Sequence, residues 1–129
     1  MPLVRIDVVE GRSPDELRTL ADCVHEALVE AFAAPERDRY QIIQEHRSEQ
    51  LIVLDTGLGI ERSEEVVVVQ VTEQGRDQEQ KTAFYARLVE LLEQRGVARP
   101  DDVIVSIVES TRADWSFGFG RAQFLTGEL

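Results

Sequence analysis

Gly11-Arg12-Ser13-Pro14-Asp15-Glu16 returns 64 residues later as Gly75-Arg76-Asp77-Gln78-Glu79-Gln80. Each copy reads as a glycine turn, an arginine and a helix start. Ser13 and Asp77 are N-caps, and Glu16 and Gln80 stand three residues on, where a capping box needs its return acceptor. Pro14 fits the first helical position, whose N–H has no partner in any case. Working outward from the first copy, Leu3 to Val9 alternates as a strand, with Val4, Ile6 and Val8 on one face. After the box, Leu17, Leu20, Val24, Ala27, Leu28 and Phe32 recur at helical spacing, which predicts an amphipathic helix that Pro35 closes. Tyr40 to Glu45 then reads as a second strand. Around the second copy lie a strand from Glu65 to Thr72, apolar on both faces, and a helix carrying Phe84, Leu88, Leu91 and Leu92. Gly96 and Pro100 end that helix, and Val103 to Val108 is the fourth strand.

The same shift sets Leu20 on Phe84, Leu28 on Leu92, Asp38 on Asp102 and Glu45 on Glu109. The fold class is therefore α/β of the α+β kind. It is a doubled β-α-β unit with right-handed crossovers, giving a four-stranded sheet with two helices on one face. One domain spans 1–129, with repeats at 1–46 and 65–109 and a linker at 47–64. Leu51-Ile52-Val53-Leu54 in the linker is a candidate extra strand. The glycines of Asp55-Thr56-Gly57-Leu58-Gly59 make a turn and no nucleotide fingerprint, because no helix opens after them. Valine-rich strands leave the second sheet face needing cover, which predicts a symmetric oligomer. The tail from Ser110 to Leu129 holds four of the chain's eight aromatic residues, as a core plug, a subunit contact or a pocket wall.

The 129 residues, 43% hydrophobic and 30% charged, suit a single globular domain. A net charge of −11 argues against nucleic acid or an anionic membrane as partner. An anionic substrate would need a local cationic pocket, which draws attention to arginines at loop ends. The single cysteine, Cys23, lies in a helical pattern as a core residue, and no disulfide framework exists. With no leader pattern ahead of the first strand and no apolar run near the roughly 20 residues a bilayer requires, a cytoplasmic location is expected. No His, Cys or carboxylate cluster has metal-ligand spacing, so no metal is expected. His25 and His46 are read as structural or exposed, Arg12 as a solvated helix-entry residue, and Asp101-Asp102 and Glu64-Glu65 as solvated charge.

Pro2 stands directly behind the initiator. Removal of Met1 would leave a secondary amine, and a chain-terminal amine titrates at about 8, within reach of acid, base or imine chemistry. A retained Met1 would make Pro2 an amide without basicity.

With Pro2 opening a strand, a doubled β-α-β unit and an arginine at the second strand-to-helix turn, the chain resembles the tautomerase superfamily. Its malonate semialdehyde decarboxylase group is the nearer match. The resemblance is carried by Pro2, Pro35-Glu36-Arg37-Asp38-Arg39-Tyr40, Arg76, Trp115, Phe117, Phe124 and Leu129. It implies a homotrimer with Pro2 at the floor of each site. It implies catalytic roles for Pro2, Asp38 and Arg76, and a substrate-binding wall of Trp115, Phe117, Phe124 and Leu129. Gln74 stands where the family's first arginine is expected, and it offers hydrogen bonds without charge or a planar fork. The implied reaction is cofactor-independent decarboxylation of a small 3-oxo acid, malonate semialdehyde to acetaldehyde and carbon dioxide, with hydratase or tautomerase side activity. Two alternatives stay open: a tautomerase or hydratase of 2-oxo acids such as phenylpyruvate, and a non-catalytic trimeric scaffold. Asp38 near Pro2 would favour its cation, whereas Arg76 and burial would favour the neutral amine.

Overall fold

The computed structural model describes residues 2–129, so whether Met1 is retained lies outside the described residues. The chain runs β1 (Leu3–Val9), α1 (Pro14–Phe32), β2 (Tyr40–His46), β3 (Val67–Glu73), α2 (Gln78–Gln94), β4 (Val103–Glu109) and a short α3 (Gln123–Thr126). Single 3-10 turns lie at Ser48–Gln50, Pro100–Asp102 and Arg112–Asp114. Both capping boxes close. Glu16 N–H donates to Ser13 Oγ and Ser13 N–H to Glu16 Oε1, each at 3.1 Å. Gln80 N–H donates to Asp77 Oδ1 at 2.7 Å and Asp77 N–H to Gln80 Oε1 at 3.0 Å. A cap of this kind is worth about 1 kcal/mol. The 64-residue shift holds from β1 to β3 and from the first residue of α1 to that of α2. It shortens by one at the last strand, after a helix of 17 residues where the first has 19.

Strand order is β2-β1-β3-β4, parallel within each half and antiparallel where β1 meets β3. Val4, Ile6 and Val8 of β1 and Val67, Val69 and Val71 of β3 face the helices and are fully buried. Leu20, Val24, Leu28 and Phe32 of α1 and Phe84, Leu88 and Leu92 of α2 complete that core. Phe32 meets Phe84 with ring centroids 5.4 Å apart, and Arg87 Nε of α2 donates to Glu30 Oε2 of α1 at 2.6 Å. The opposite sheet face leaves Leu3, Tyr40, Ile42 and Val108 substantially exposed. A polar strip crosses it: Arg5 Nε to Asp7 Oδ2 at 3.1 Å, Arg5 Nη2 to Gln44 Oε1 at 3.1 Å, and His46 Nε2 to Asp7 Oδ1 at 2.6 Å.

Three expectations need correction. Leu51–Leu54 forms no strand, for β2 is already an edge whose outer side it does not join. Ile52 and Leu54 instead stand 81% and 77% exposed. Asp102 is not solvated. It is fully buried and accepts from Ser63 N–H at 2.7 Å, Ser63 Oγ at 2.6 Å and Arg99 Nε at 3.2 Å, tying the linker's end to the start of β4. Burial alone would raise its pKa, but the Ser63 bonds and Arg99 outweigh that and hold it below the usual carboxylate range. Arg12 is half-buried and staples two backbone segments, Nη2 donating to Glu65 O at 2.8 Å and Val97 O at 3.0 Å. No described helix is long and apolar enough to cross a membrane.

Candidate active site

Register dictates which segments meet. Leu3 pairs with Tyr40 on one side and Thr72 on the other, while Thr72 pairs with Val108. One end of the sheet therefore gathers the start of β1, the start of β2 and the ends of β3 and β4. Pro2, the turn before β2, the Glu73-to-Arg76 loop and the tail after Glu109 all converge there.

Glu73 continues the inward parity of Val67, Val69 and Val71, and its carboxylate is 1% exposed. Its Oε1 accepts from Gln74 N–H at 2.9 Å and lies 3.7 Å from Arg76 Nη2. Gly75 makes the turn with φ +66°, and a Cβ there would meet nothing, so conformation rather than space selects glycine. Arg76 follows, its guanidinium 5.3 Å above the buried Phe32 ring at the end of α1. Among the described residues its buried Nε and the buried Oε1 of Gln74 take part in no hydrogen bond. Polar groups left open inside a fold are costly unless something binds them.

The tail returns over the same end. Ser110 N–H donates to Glu73 O at 2.8 Å, Ser110 Oγ donates to the same carbonyl at 3.1 Å, and Trp115 Nε1 donates to Ser110 Oγ at 2.9 Å. Trp115 and Phe117 lie nearly parallel at 5.7 Å, Phe117 stacks on Tyr40 at 5.9 Å, and Phe124 meets Phe117 edge-on at 5.4 Å. Gln123, buried, clasps the tail by accepting from Phe117 N–H and donating to Gly118 O, both at 2.9 Å.

Two open cavities flank Ser110. One, of about 660 Å³, is lined by Gln74, Gly75, Arg76, Ser110, Thr111, Arg112, Ala113 and Leu125. The other, of about 490 Å³, is lined by Leu3, Tyr40, Thr72, Trp115, Phe117 and their neighbours. The structure thus brings Gln74 and Arg76 to one cavity and Trp115 and Phe117 to the other. Pro2 is buried at the head of β1 and lines neither; Asp38 is half-buried on the turn its N–H closes to Pro35 O at 3.0 Å and lines neither. Phe124 backs the aromatic stack. Leu129 stays 57% exposed and is not brought to either cavity. Sequence reasoning missed Glu73, Ser110, Gln123 and Arg112. Glu73 was findable, since a carboxylate at an inward strand position beside an arginine is anomalous.

A family model described as tautomerase enzyme matches residues 38–118, and a second of the same description matches residues 2–60. The chain belongs to the tautomerase family. It is 50% identical over 129 residues, the full length of both chains, to a probable tautomerase, YrdN, of Bacillus subtilis (strain 168). Within the superfamily it falls with the malonate semialdehyde decarboxylase group. A solved structure of that decarboxylase, studied for its decarboxylase and hydratase activities, superposes with TM-score 0.95 at 46% identity, covering 98% of each chain. A symmetric trimer of a fused 4-OT shares the fold at TM-score 0.78 and 22% identity, covering 97% of this chain and 98% of that one.

Proposed function

We propose that the protein is a cofactor-independent carboxy-lyase that converts malonate semialdehyde, or a close 3-oxo acid, to the aldehyde and carbon dioxide. The observation that carries this reading is the convergence at one sheet end of Pro2 with Arg76, whose buried Nε has no acceptor among the described residues. The near-complete superposition on malonate semialdehyde decarboxylase supports the choice of substrate. Arg76 takes the carboxylate, and its planar fork sets the direction of the C–C bond to be broken. The bonding pair of that C–C bond flows toward the carbonyl as carbon dioxide leaves, giving an enolate. Pro2, freed of Met1, stabilises the developing oxyanion as a protonated amine, and protonation of the enolate carbon by water completes acetaldehyde. Asp38, on the turn beside the head of β1, favours the cationic form of that amine. Across Ser110, which both cavities share, Trp115 and Phe117 with Phe124 behind them supply the apolar surface into which neutral carbon dioxide departs. The grip of Arg76 must not tighten only in the ground state, because that would oppose departure. Function in this scheme requires a homotrimer, for which the open sheet face supplies the contact.

A second reading is favoured by the 50% identity to a probable tautomerase. There a neutral Pro2 shuttles a proton between carbon and oxygen of a 2-oxo acid. Proton NMR of the processed protein with malonate semialdehyde and, separately, phenylpyruvate tests both. Acetaldehyde release supports the lyase, enol–keto exchange alone supports the tautomerase, and silence on both leaves a non-catalytic scaffold.

A further inference from the structure

The chain carries Gln74 where its resemblance leads one to expect a second arginine beside Arg76, and the cavity that holds both contains another cation. Arg112, on the 3-10 turn that follows β4, lines the same cavity as Gln74 and Arg76. It reaches this place by topology: β3 and β4 run parallel, so the loops leaving them lie side by side. Its guanidinium is exposed but anchored at two points. Nη2 donates to Phe124 O at 2.8 Å, and Cζ sits 5.0 Å from the centre of the Phe124 ring. One N–H of the five is committed there, and Arg112 forms no ion pair among the described residues. In a chain of net charge −11, two arginines facing one cavity, with no carboxylate among the residues lining it, make a focused positive site.

We propose that Arg112 is a substrate-binding residue that supplies the second cation for the substrate's carboxylate, replacing from the β4 loop the charge that Gln74 does not bring. This rests on the reading of Arg76 as the carboxylate ligand. The gap at position 74 is filled by a residue 38 positions away in sequence and one loop away in space. Arg112 acts on capture and orientation. Because its charge is felt by the carboxylate before the bond breaks, its loss raises KM more than it lowers kcat. The aromatic stack gains a second role, since Phe124 holds the guanidinium plane. Selectivity follows as well: the cavity favours acids over the corresponding amides or esters.

The test uses malonate as a carboxylate probe, titrated calorimetrically into wild type, Arg112→Gln, Arg112→Lys and Arg76→Gln, with turnover measured in parallel. Arg112→Gln keeps an N–H for Phe124 O and removes the charge. It is expected to weaken malonate about tenfold, near the 1.4 kcal/mol that a tenfold change represents, and to flatten the salt dependence. Arg112→Lys is expected to restore most of the affinity. Emission from the single tryptophan, Trp115, should match wild type in both variants, showing that the tail stays docked. Wild-type affinity in Arg112→Gln, with Arg76→Gln alone losing malonate, would overturn the proposal and leave the Arg76 reading standing. Equal loss in the Gln and Lys variants with shifted Trp115 emission would also overturn it, reducing Arg112 to a clasp. Failure of the wild type to bind malonate would do the same. Malonate binding that follows Arg112 without acetaldehyde release would keep the cation site and remove the decarboxylase reading.

Discussion

Arg76 is held from below by the Phe32 ring and from the side by Glu73, and its buried Nε has no acceptor among the described residues. A guanidinium so placed is already oriented before an anion arrives, and that lowers the cost of binding. Arg76→Ala and Pro2→Ala are each expected to cut turnover at least about 100-fold, the scale of losing one charge-stabilising group, with far-UV circular dichroism unchanged. Full activity in either would remove that residue from the mechanism. Asp102 illustrates the opposite role. Asp102→Ala should cost about 1–3 kcal/mol in urea unfolding, because Ser63 and Arg99 lose a buried acceptor. Its depressed folded pKa means this stability is present above the ordinary value of 3.8 and is lost as pH falls below it. The acid limb of the stability curve should therefore flatten in Asp102→Asn. Sequence located Pro2 ahead of β1, Asp38 before β2 and Arg76 at the turn into α2, because strand parity and capping chemistry are local. It misread Asp102 and Arg12 because their partners, Ser63, Glu65 and Val97, come from distant segments that only the fold brings near.

Strands and helices were legible almost to the residue, since each carries its own period and its own cap: β1 and both capping boxes stand where the pattern put them. The linker was less so. Leu51–Leu54 has strand composition, but a strand needs an open edge in reach, and this stretch stays apart from the sheet. The tail is a third case, a segment with few regular hydrogen bonds whose order comes from Gln123 and the Tyr40–Phe117–Trp115 stack. None of its residues belongs to the buried core cluster. Trp115→Ala should therefore lower kcat/KM by tenfold or more, on the order of one aromatic contact, while the urea midpoint barely moves. A large loss of stability instead would make the tail a structural plug.

At the scale of the whole molecule, the unanswered surface is the sheet face opposite the helices, with Leu3, Tyr40, Ile42 and Val108 exposed around the Arg5–Asp7–His46 strip. We propose that this face is the contact between copies of the chain, because apolar side chains on a sheet face need cover. Light scattering should give a mass three times the 14.6 kDa chain, and Ile42→Glu, which puts charge on the contact, should give monomers. A wild-type monomer would leave the exposed face unexplained. The proposed chemistry turns on the nitrogen of Pro2. Acetaldehyde release from malonate semialdehyde should be followed by proton NMR in two preparations of verified intact mass, one beginning at Pro2 and one with a residue retained ahead of it. Release by the first and none by the second is the predicted result; equal release by both would contradict the claim that the imino terminus does the chemistry.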